Sequence, residues 1–365
     1  MLTFVAACFC SAFVVSWAVT RIMRKFARRW GLVDQPADRK VHKRSTPLGG
    51  GVAIVLGVVI PLGMIQIIAW FLGSTGSYPE WIPSFVLDHL EGVRERSGSM
   101  WIILAGGATL AILGLLDDKY NLPWKPRLAI QFLIAIAMTL SGVKGSFFIM
   151  LPWIASAITV FWILGLINSF NFLDNMNGLS AGIAFIASVL FAIIMLTSLS
   201  EPRWLVGGVM LVLAGSLGGF LYHNWRGKIF MGDSGSYFIG LMMACMTVLG
   251  TFYDSSNSSK HVILAPLCIL AVPLYDTCSV ILIRLMQGRS PFQPDKSHFS
   301  HRLVDLGMSQ KNAVLTVYLT TLTTGIGALL LYHVDNWQGA WLVLALVCCV
   351  LAVIAILETA GRNSS

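Results

Sequence analysis

The 365-residue chain predicts an all-α, polytopic integral membrane protein of about eleven transmembrane helices, and three observations carry that prediction. Hydrophobic residues make up 56% of it and charged residues only 12%, about half the charged share of a water-soluble domain. Apolar runs of roughly the twenty residues that cross a bilayer recur from end to end. No polar segment between them is long enough to bury a core of its own, so residues 1–365 read as a single integral domain.

The runs fall near 2–20, 48–72, 100–116, 127–143, 150–167, 180–198, 204–222, 235–252, 262–285, 313–333 and 338–357. The first has no basic residue before it and Arg21, Arg24 and Lys25 after it, the reverse of a secretory signal peptide, so it is expected to remain as a span. Only residues 141–146 separate the fourth from the fifth, and Pro152 interrupts the fifth. The basic residues set the orientation. With loop 21–47 inside, 20 of the 25 Lys and Arg residues lie in the cytoplasm, and Arg94, Arg96, Lys144, Arg203 and Lys260 remain outside. This four-to-one excess places the amino terminus outside, in the periplasm, and the carboxyl terminus in the cytoplasm.

The net charge of +8 needs no nucleic-acid partner, because the cations sit in short loops beside apolar runs, where they act as a topology signal. The seven cysteines all lie inside apolar runs without the paired spacing of a zinc or redox site, and read as buried thiols. The outer segments are solvated loops of scattered acids, Pro, Ser and Gly. Almost every unusual polar constellation falls on the inner side.

There are five such clusters. In the first, Arg39, Lys40, Lys43 and Arg44 precede Pro47 and three glycines, 49–51, that open a helix. Free N–H groups at that helix start could cradle phosphate, and the same cations could equally touch anionic lipid heads. The second is the abrupt end of an apolar run on Asp117 and Asp118, followed by Lys119, Asn121, Lys125 and Arg127. Acids at a helix end can simply mark the water interface, yet paired acids beside cations also suit a magnesium-phosphate site, since Mg²⁺ takes one or two carboxylates and leaves its other positions to water and phosphate. In the third, Asn168, Asn171, Asp174 and Asn177 recur every third residue, a spacing that puts them on one helical face. Such a stripe lines a cavity or joins helices rather than facing lipid.

The fourth, 228–236, holds Asp233 between Gly232 and Ser234-Gly235 at the start of a span. It reads as an N-cap or as a metal ligand near phosphate. The fifth, 289–302, holds His298, His301 and Arg302; with no third ligand nearby, phosphate recognition fits better than zinc. Asp276, inside the ninth run, is one more acid close to the membrane.

From about residue 31 to 315, and through all five clusters in order, the chain resembles the polyprenyl-phosphate N-acetylhexosamine-1-phosphate transferases, in particular the bacterial enzymes that initiate common-antigen and teichoic-acid synthesis. That resemblance implies transfer of a sugar-1-phosphate, GlcNAc-1-phosphate above all, from a UDP-sugar to undecaprenyl phosphate with Mg²⁺, or Mn²⁺, and release of UMP. It also implies a multi-pass protein of the bacterial inner membrane with its site facing the cytoplasm, and it leaves a homodimer open.

On the same basis, Asp117 and Asp118 match the family's Asp pair, Asp174 the acid of its Asn-x-x-Asp element, and His298 its histidine element, which makes these four the catalytic candidates. Asp233 matches the main magnesium ligand, and Asn171 a metal-proximal Asn. Phe230 matches the aromatic that stacks on uracil. Lys125, Arg127, His301 and Arg302 match positions expected to hold the pyrophosphate. Lys43 lies where the nucleotide end is approached, Asn121 beside the acidic pair among the substrate-binding candidates, and Asn177 at a nucleotide contact.

Two departures stand out. Asn177 replaces an acid usual in bacterial relatives, and Ser300 replaces the middle histidine of His-x-His-His. The chain also lacks the three consecutive histidines of the peptidoglycan translocase, which favours a sugar without a peptide. Outside this class, a lipid-linked transporter or flippase is the rival; it would show ionisable groups at mid-membrane depth or on both faces.

Overall fold

The computed structural model describes residues 1–35, 45–75, 84–145, 151–199, 201–250, 260–290 and 297–362. They are almost entirely helical: α1 (Leu2–Arg29), α2 (Gly50–Thr75), α3 (Ser84–Tyr120), α4 (Trp124–Leu140), α5 (Pro152–Leu173), α6 (Leu179–Ile193), α7 (Trp204–Asn224), α8 (Gly232–Gly250), α9 (Ala265–Ile269), α10 (Ala271–Met286), α11 (Phe299–Asp305), α12 (Gln310–Leu331) and α13 (Trp337–Arg362). A two-residue antiparallel ribbon, β1 (Val33–Asp34) against β2 (Thr46–Pro47), links α1 to α2.

Each apolar run read from the sequence contains helix. Among the described residues, eight helices are long and apolar enough to cross a membrane. A ninth counts if Lys260–Ile269 and Ala271–Met286, bent by 67° at their junction, form one span. Helix α4 has only 17 residues, and the polar opening Gly232-Asp233-Ser234-Gly235-Ser236 dilutes the hydropathy of α8. The chain is thus an all-α polytopic membrane protein. Wide exposed apolar surfaces fit this, with Leu342 on α13, Phe161 on α5 and Ile67 on α2 each about two-thirds exposed or more.

Three local expectations need correction. The apolar run expected to end at 116 continues as helix through Asp117 and Asp118, in the last turn of α3, which leaves only residues 121–123 between α3 and α4. Pro152 does not interrupt a span; it sits at the first position of α5, where its missing N–H costs no hydrogen bond. The Asn/Asp stripe does not run along one helix, because α5 ends at Leu173. Asp174 caps it and Gly178 turns the chain at φ +79°, so only Asn168 and Asn171 lie on the helix.

Helix α8 is the axis of the bundle. Nearly all of it is buried, with α2, α3, α5, α6 and α7 packed around it. Without water to drive association inside a bilayer, helices bind through close packing, which small residues permit. Gly51 of α2 and Gly114 of α3 bring their helices onto the backbone of α8 near its first turn, and Gly240 of α8 lies against the backbone of α5. As a result the C-terminal ends of α3, α5 and α7 meet the N-terminal ends of α4 and α8 at one end of the bundle.

Candidate active site

The corner between α3 and α4 carries the first acid. Helix α3 stops at Asn121, which takes φ +50° and donates its N–H to the Asp117 carbonyl at 2.8 Å. The Asp117 side chain closes the same turn, because Oδ1 accepts from the Leu122 N–H at 2.8 Å. Its Oδ2 is ion-paired and hydrogen-bonded to Arg127 in the first turn of α4. The Arg127 guanidinium also lies 3.4 Å from Asp233 Oδ2. One cation therefore joins two acids 116 residues apart in sequence.

Asp233 occupies the first turn of α8, but its side chain does not cap that helix. The cap comes from another helix: Asp118 Oδ1 accepts the Asp233 N–H at 3.0 Å, and its negative charge suits the N-terminal dipole. Only glycine fits at 232. It takes φ +74°, and a Cβ there would run into the Asp118 carboxylate. Asp233 is then free to receive Asn171, whose Nδ2 donates to Oδ1 at 2.8 Å and also to Ser236 Oγ at 3.1 Å.

Beyond α5, Asp174 turns toward α8, where the Gly232 N–H donates to it. Burial, and then the charge of Asp118, push its carboxyl up to about 8 against that hydrogen bond. Asn177 lies beside Gly227, and its Oδ1 is buried without a hydrogen-bond partner. Asn175 accepts from Ser300 at 2.7 Å, so the serine that departs from the histidine pattern ties the α5–α6 turn to α11.

The glycines of the first cluster do not offer a free phosphate cradle. The Gly50 and Gly51 N–H groups at the head of α2 donate to the carbonyls of Phe230 and Met231 at 3.0 and 2.9 Å. The Phe230 N–H in turn donates to Pro47 O at 2.9 Å, which holds the aromatic beside the β-ribbon. Lys125 and Asn121 are exposed at the rim, with the Lys125 ammonium over the Trp124 ring. Lys43 lies outside the described residues.

His298 is buried just before α11. Its Nδ1 lies 2.9 Å from Asp276 Oδ2, and its ring meets Phe172, the residue after Asn171 and two before Asp174, edge-on at 5.9 Å. The His301 ring is 6.4 Å from that of His298. Arg302 points elsewhere: it pairs with Glu358 on α13 at 3.0 Å and donates to Ser279 Oγ and Ser297 O.

Asp117, Asp118, Asp174, Asp233, Asn171 and Arg127 therefore converge from four helix ends. Sequence reasoning missed Tyr237, whose buried hydroxyl lies 3.2 Å from Asp233 Oδ2 and 3.3 Å from Asp117 Oδ2, so its one proton serves either acid. The signal was its position one helical turn after Asp233. It also missed Asn224, which accepts the Gly178 N–H and donates to Ile229 O, tying the α5–α6 and α7–α8 turns together.

Four carboxylates gather in this cluster, only two of them, Asp117 and Asp233, meet the Arg127 guanidinium, and Asp118 Oδ2 is buried without a partner. Among the described residues no three acids, histidines or cysteines are grouped so as to hold a metal ion by themselves. An open donor set with surplus negative charge suits a divalent cation that takes few protein ligands and keeps positions for phosphate oxygen.

Comparison with known proteins follows the same lines. The family model for glycosyl transferase family 4 matches residues 100–251, the segment that carries all four clustered acids. A Bacillus subtilis (strain 168) protein named "Probable undecaprenyl-phosphate N-acetylglucosaminyl 1-phosphate transferase" is 34% identical over 92% of this chain and 88% of its own length. The decaprenyl-phosphate N-acetylglucosaminephosphotransferase of Mycolicibacterium smegmatis is 32% identical over 96% and 86%. The undecaprenyl-phosphate alpha-N-acetylglucosaminyl 1-phosphate transferase of Escherichia coli (strain K12) is 28% identical over 88% and 82%.

Proposed function

The chain belongs to glycosyl transferase family 4, and from that premise we propose that it transfers N-acetylglucosamine-1-phosphate from UDP-GlcNAc to undecaprenyl phosphate, releasing UMP. The observation that carries this reading is the meeting of Asp117, Asp118, Asp174 and Asp233 at one end of the bundle, where Arg127 joins Asp117 to Asp233 and the first turn of α8 receives Asp118 and Asp174.

The lipid phosphate needs little help to become a nucleophile, because a phosphate monoester with a second pKa near 6 is largely dianionic at pH 7. Its oxygen attacks the β-phosphorus of the UDP-sugar, a bond forms to the lipid phosphate, and UMP leaves with the electrons of the broken P–O bond. Such transfers depend on positioning and charge neutralisation more than on proton removal. Asp117, with Leu122, Arg127 and Tyr237 around it, orients Arg127 more than it acts as a base. Asp118 anchors the first turn of α8, and Asn171 fixes the rotamer of Asp233. Asp233, with Asn171 and the unpartnered Asp118 Oδ2 beside it, fits Mg²⁺ or Mn²⁺, which when bound supplies neutralisation of pyrophosphate charge.

The reading of eleven spans rests on the apolar runs, and the distribution of Lys and Arg supports an amino terminus outside and the acidic end in the cytoplasm of a bacterial inner membrane. The relatives' names favour GlcNAc over a MurNAc-pentapeptide, and the gathering of acids at one end of the bundle speaks against a flippase route. The test is incubation of purified protein with Mg²⁺, undecaprenyl phosphate and a panel of radiolabelled UDP-sugars. UDP-GlcNAc gives labelled lipid and UMP; transfer from none of the sugars contradicts the proposal.

A further inference from the structure

Asp276 is fully buried within α10, and the transfer reaction described above leaves it without a role. A carboxylate there is costly unless it is hydrogen-bonded. The structure gives it two partners from the same neighbouring segment: Oδ1 accepts the Phe299 N–H at 2.6 Å, and Oδ2 lies 2.9 Å from His298 Nδ1.

The Phe299 N–H is a fixed donor, so Oδ1 must be an acceptor. An ionised carboxylate has no proton to give, so Nδ1 must carry the hydrogen. This leaves Nε2 as the other working atom of the ring. Among the described residues no hydrogen-bond partner reaches Nε2, and the ring lies against Phe172, one residue from Asn171 and two from Asp174.

We propose that Asp276 is a positioning residue for the transfer reaction. It keeps a proton on His298 Nδ1 and turns the ring so that Nε2, which donates to the anionic substrate in the imidazolium form, faces it, and it starts α11 by taking the Phe299 N–H. The same group thus sets the tautomer, the ring orientation and the place of the helix that carries His301. This inference rests on the transferase reading, but its structural half does not need substrate.

Asp276→Asn separates the two functions. An amide keeps one acceptor and gains a donor, so one of the two bonds must reverse. The Phe299 N–H cannot change, whereas imidazole can move its proton from Nδ1 to Nε2. The variant therefore keeps its fold and inverts the histidine.

The first experiment is nitrogen-15 NMR of imidazole-labelled full-length protein in lipid, with the His298 signals assigned by their loss in His298→Gln. Wild-type His298 carries hydrogen at Nδ1, either as that tautomer or as imidazolium, and Asp276→Asn converts it to the Nε2–H tautomer. A neutral wild-type ring protonated only at Nε2 overturns the proposal, whether or not any variant folds.

The second experiment is kinetic. Asp276→Asn lowers kcat about 100-fold or more with KM for UDP-GlcNAc within about threefold. In a His298→Gln background the Asp276→Asn change has no further effect on kcat, since nothing remains to orient. Independent, additive losses overturn it. A wild type that transfers none of the UDP-sugars, yet shows the Nδ1 proton, refutes the transferase reading and leaves the Asp276–His298 assignment standing.

Discussion

Gly114→Ala is the sharpest test of how the acidic cluster is assembled, because it adds one methyl group that touches no substrate. Residue 114 lies in the body of α3, where alanine has the better helix propensity by about 1 kcal/mol. Propensity alone predicts a more stable protein. The structure predicts the opposite. A Cβ on Gly114 would lie within 2.5 Å of Ser234 N, Asp233 C and Asp233 O, all backbone atoms that cannot rotate away. Ordinary contact begins at 3.4 Å, so α3 and α8 must move apart by roughly 1 Å.

That displacement draws Asp118 away from the Asp233 N–H and Asp117 away from the shared Arg127 contact. Overpacking of this kind costs about 1–3 kcal/mol, which outweighs the propensity gain. A misplacement of about 1 Å in a catalytic array can cost 100-fold in rate. The assay is lipid-linked GlcNAc-1-phosphate formation by the purified variant, with thermal unfolding in the same detergent. The expected result is a lower unfolding temperature and a kcat reduced about 100-fold. A variant as active and as stable as wild type would refute the close approach of α3 and α8 and the cluster built on it.

The remaining predictions concern single groups. Tyr237→Phe keeps the fold but loses one donor to the paired acids, and kcat falls about 10-fold, read from initial rates; an unchanged rate removes Tyr237 from the site. Glu358→Ala leaves Arg302 buried without its carboxylate and lowers stability by about 3 kcal/mol in denaturant unfolding, whereas a neutral result would mean the pair is not formed. Because the folded-state carboxyl of Asp174 is raised from 3.8 to about 8, its protonated form contributes stability that is fully present below pH 4 and is lost as pH rises through 8. In cation-free protein the wild type therefore loses stability relative to Asp174→Asn across that window; a difference independent of pH contradicts the protonated carboxyl.

Much of this architecture is legible in the sequence because its signals are local. Runs of apolar residues give the helices, and the abrupt ends at Asp117-Asp118 and Gly232-Asp233 mark where they meet water. What local pattern cannot give is which helix end serves another. Asp233 before a helix reads as its own N-cap, but Asp118 from α3 takes that role and leaves the Asp233 carboxylate to Asn171, Tyr237 and Arg127. The glycines 49–51 read as an open anion cradle, but carbonyls of the α7–α8 turn fill it.

The Asn/Asp periodicity at 168–177 suggested one continuous face, yet a left-handed glycine at 178 and the cap at Asp174 end the helix within it. Tyr237 hides inside an apolar run where an aromatic ordinarily signals packing, and only its spacing from Asp233 set it apart. Arg302 shows the converse: a cation beside two histidines suggests phosphate, while its guanidinium is engaged by Glu358 from the far end of the chain.

The central claim is that acids brought from separate helix ends form one site for phosphoryl transfer. Comparing wild type with Asp233→Asn in detergent-purified form, under Mg²⁺ with undecaprenyl phosphate and radiolabelled UDP-GlcNAc, tests it most directly. The account predicts labelled lipid pyrophosphate and UMP from wild type and a loss of at least about 1000-fold in the variant, with its helical content unchanged. Turnover by Asp233→Asn at the wild-type rate would contradict it.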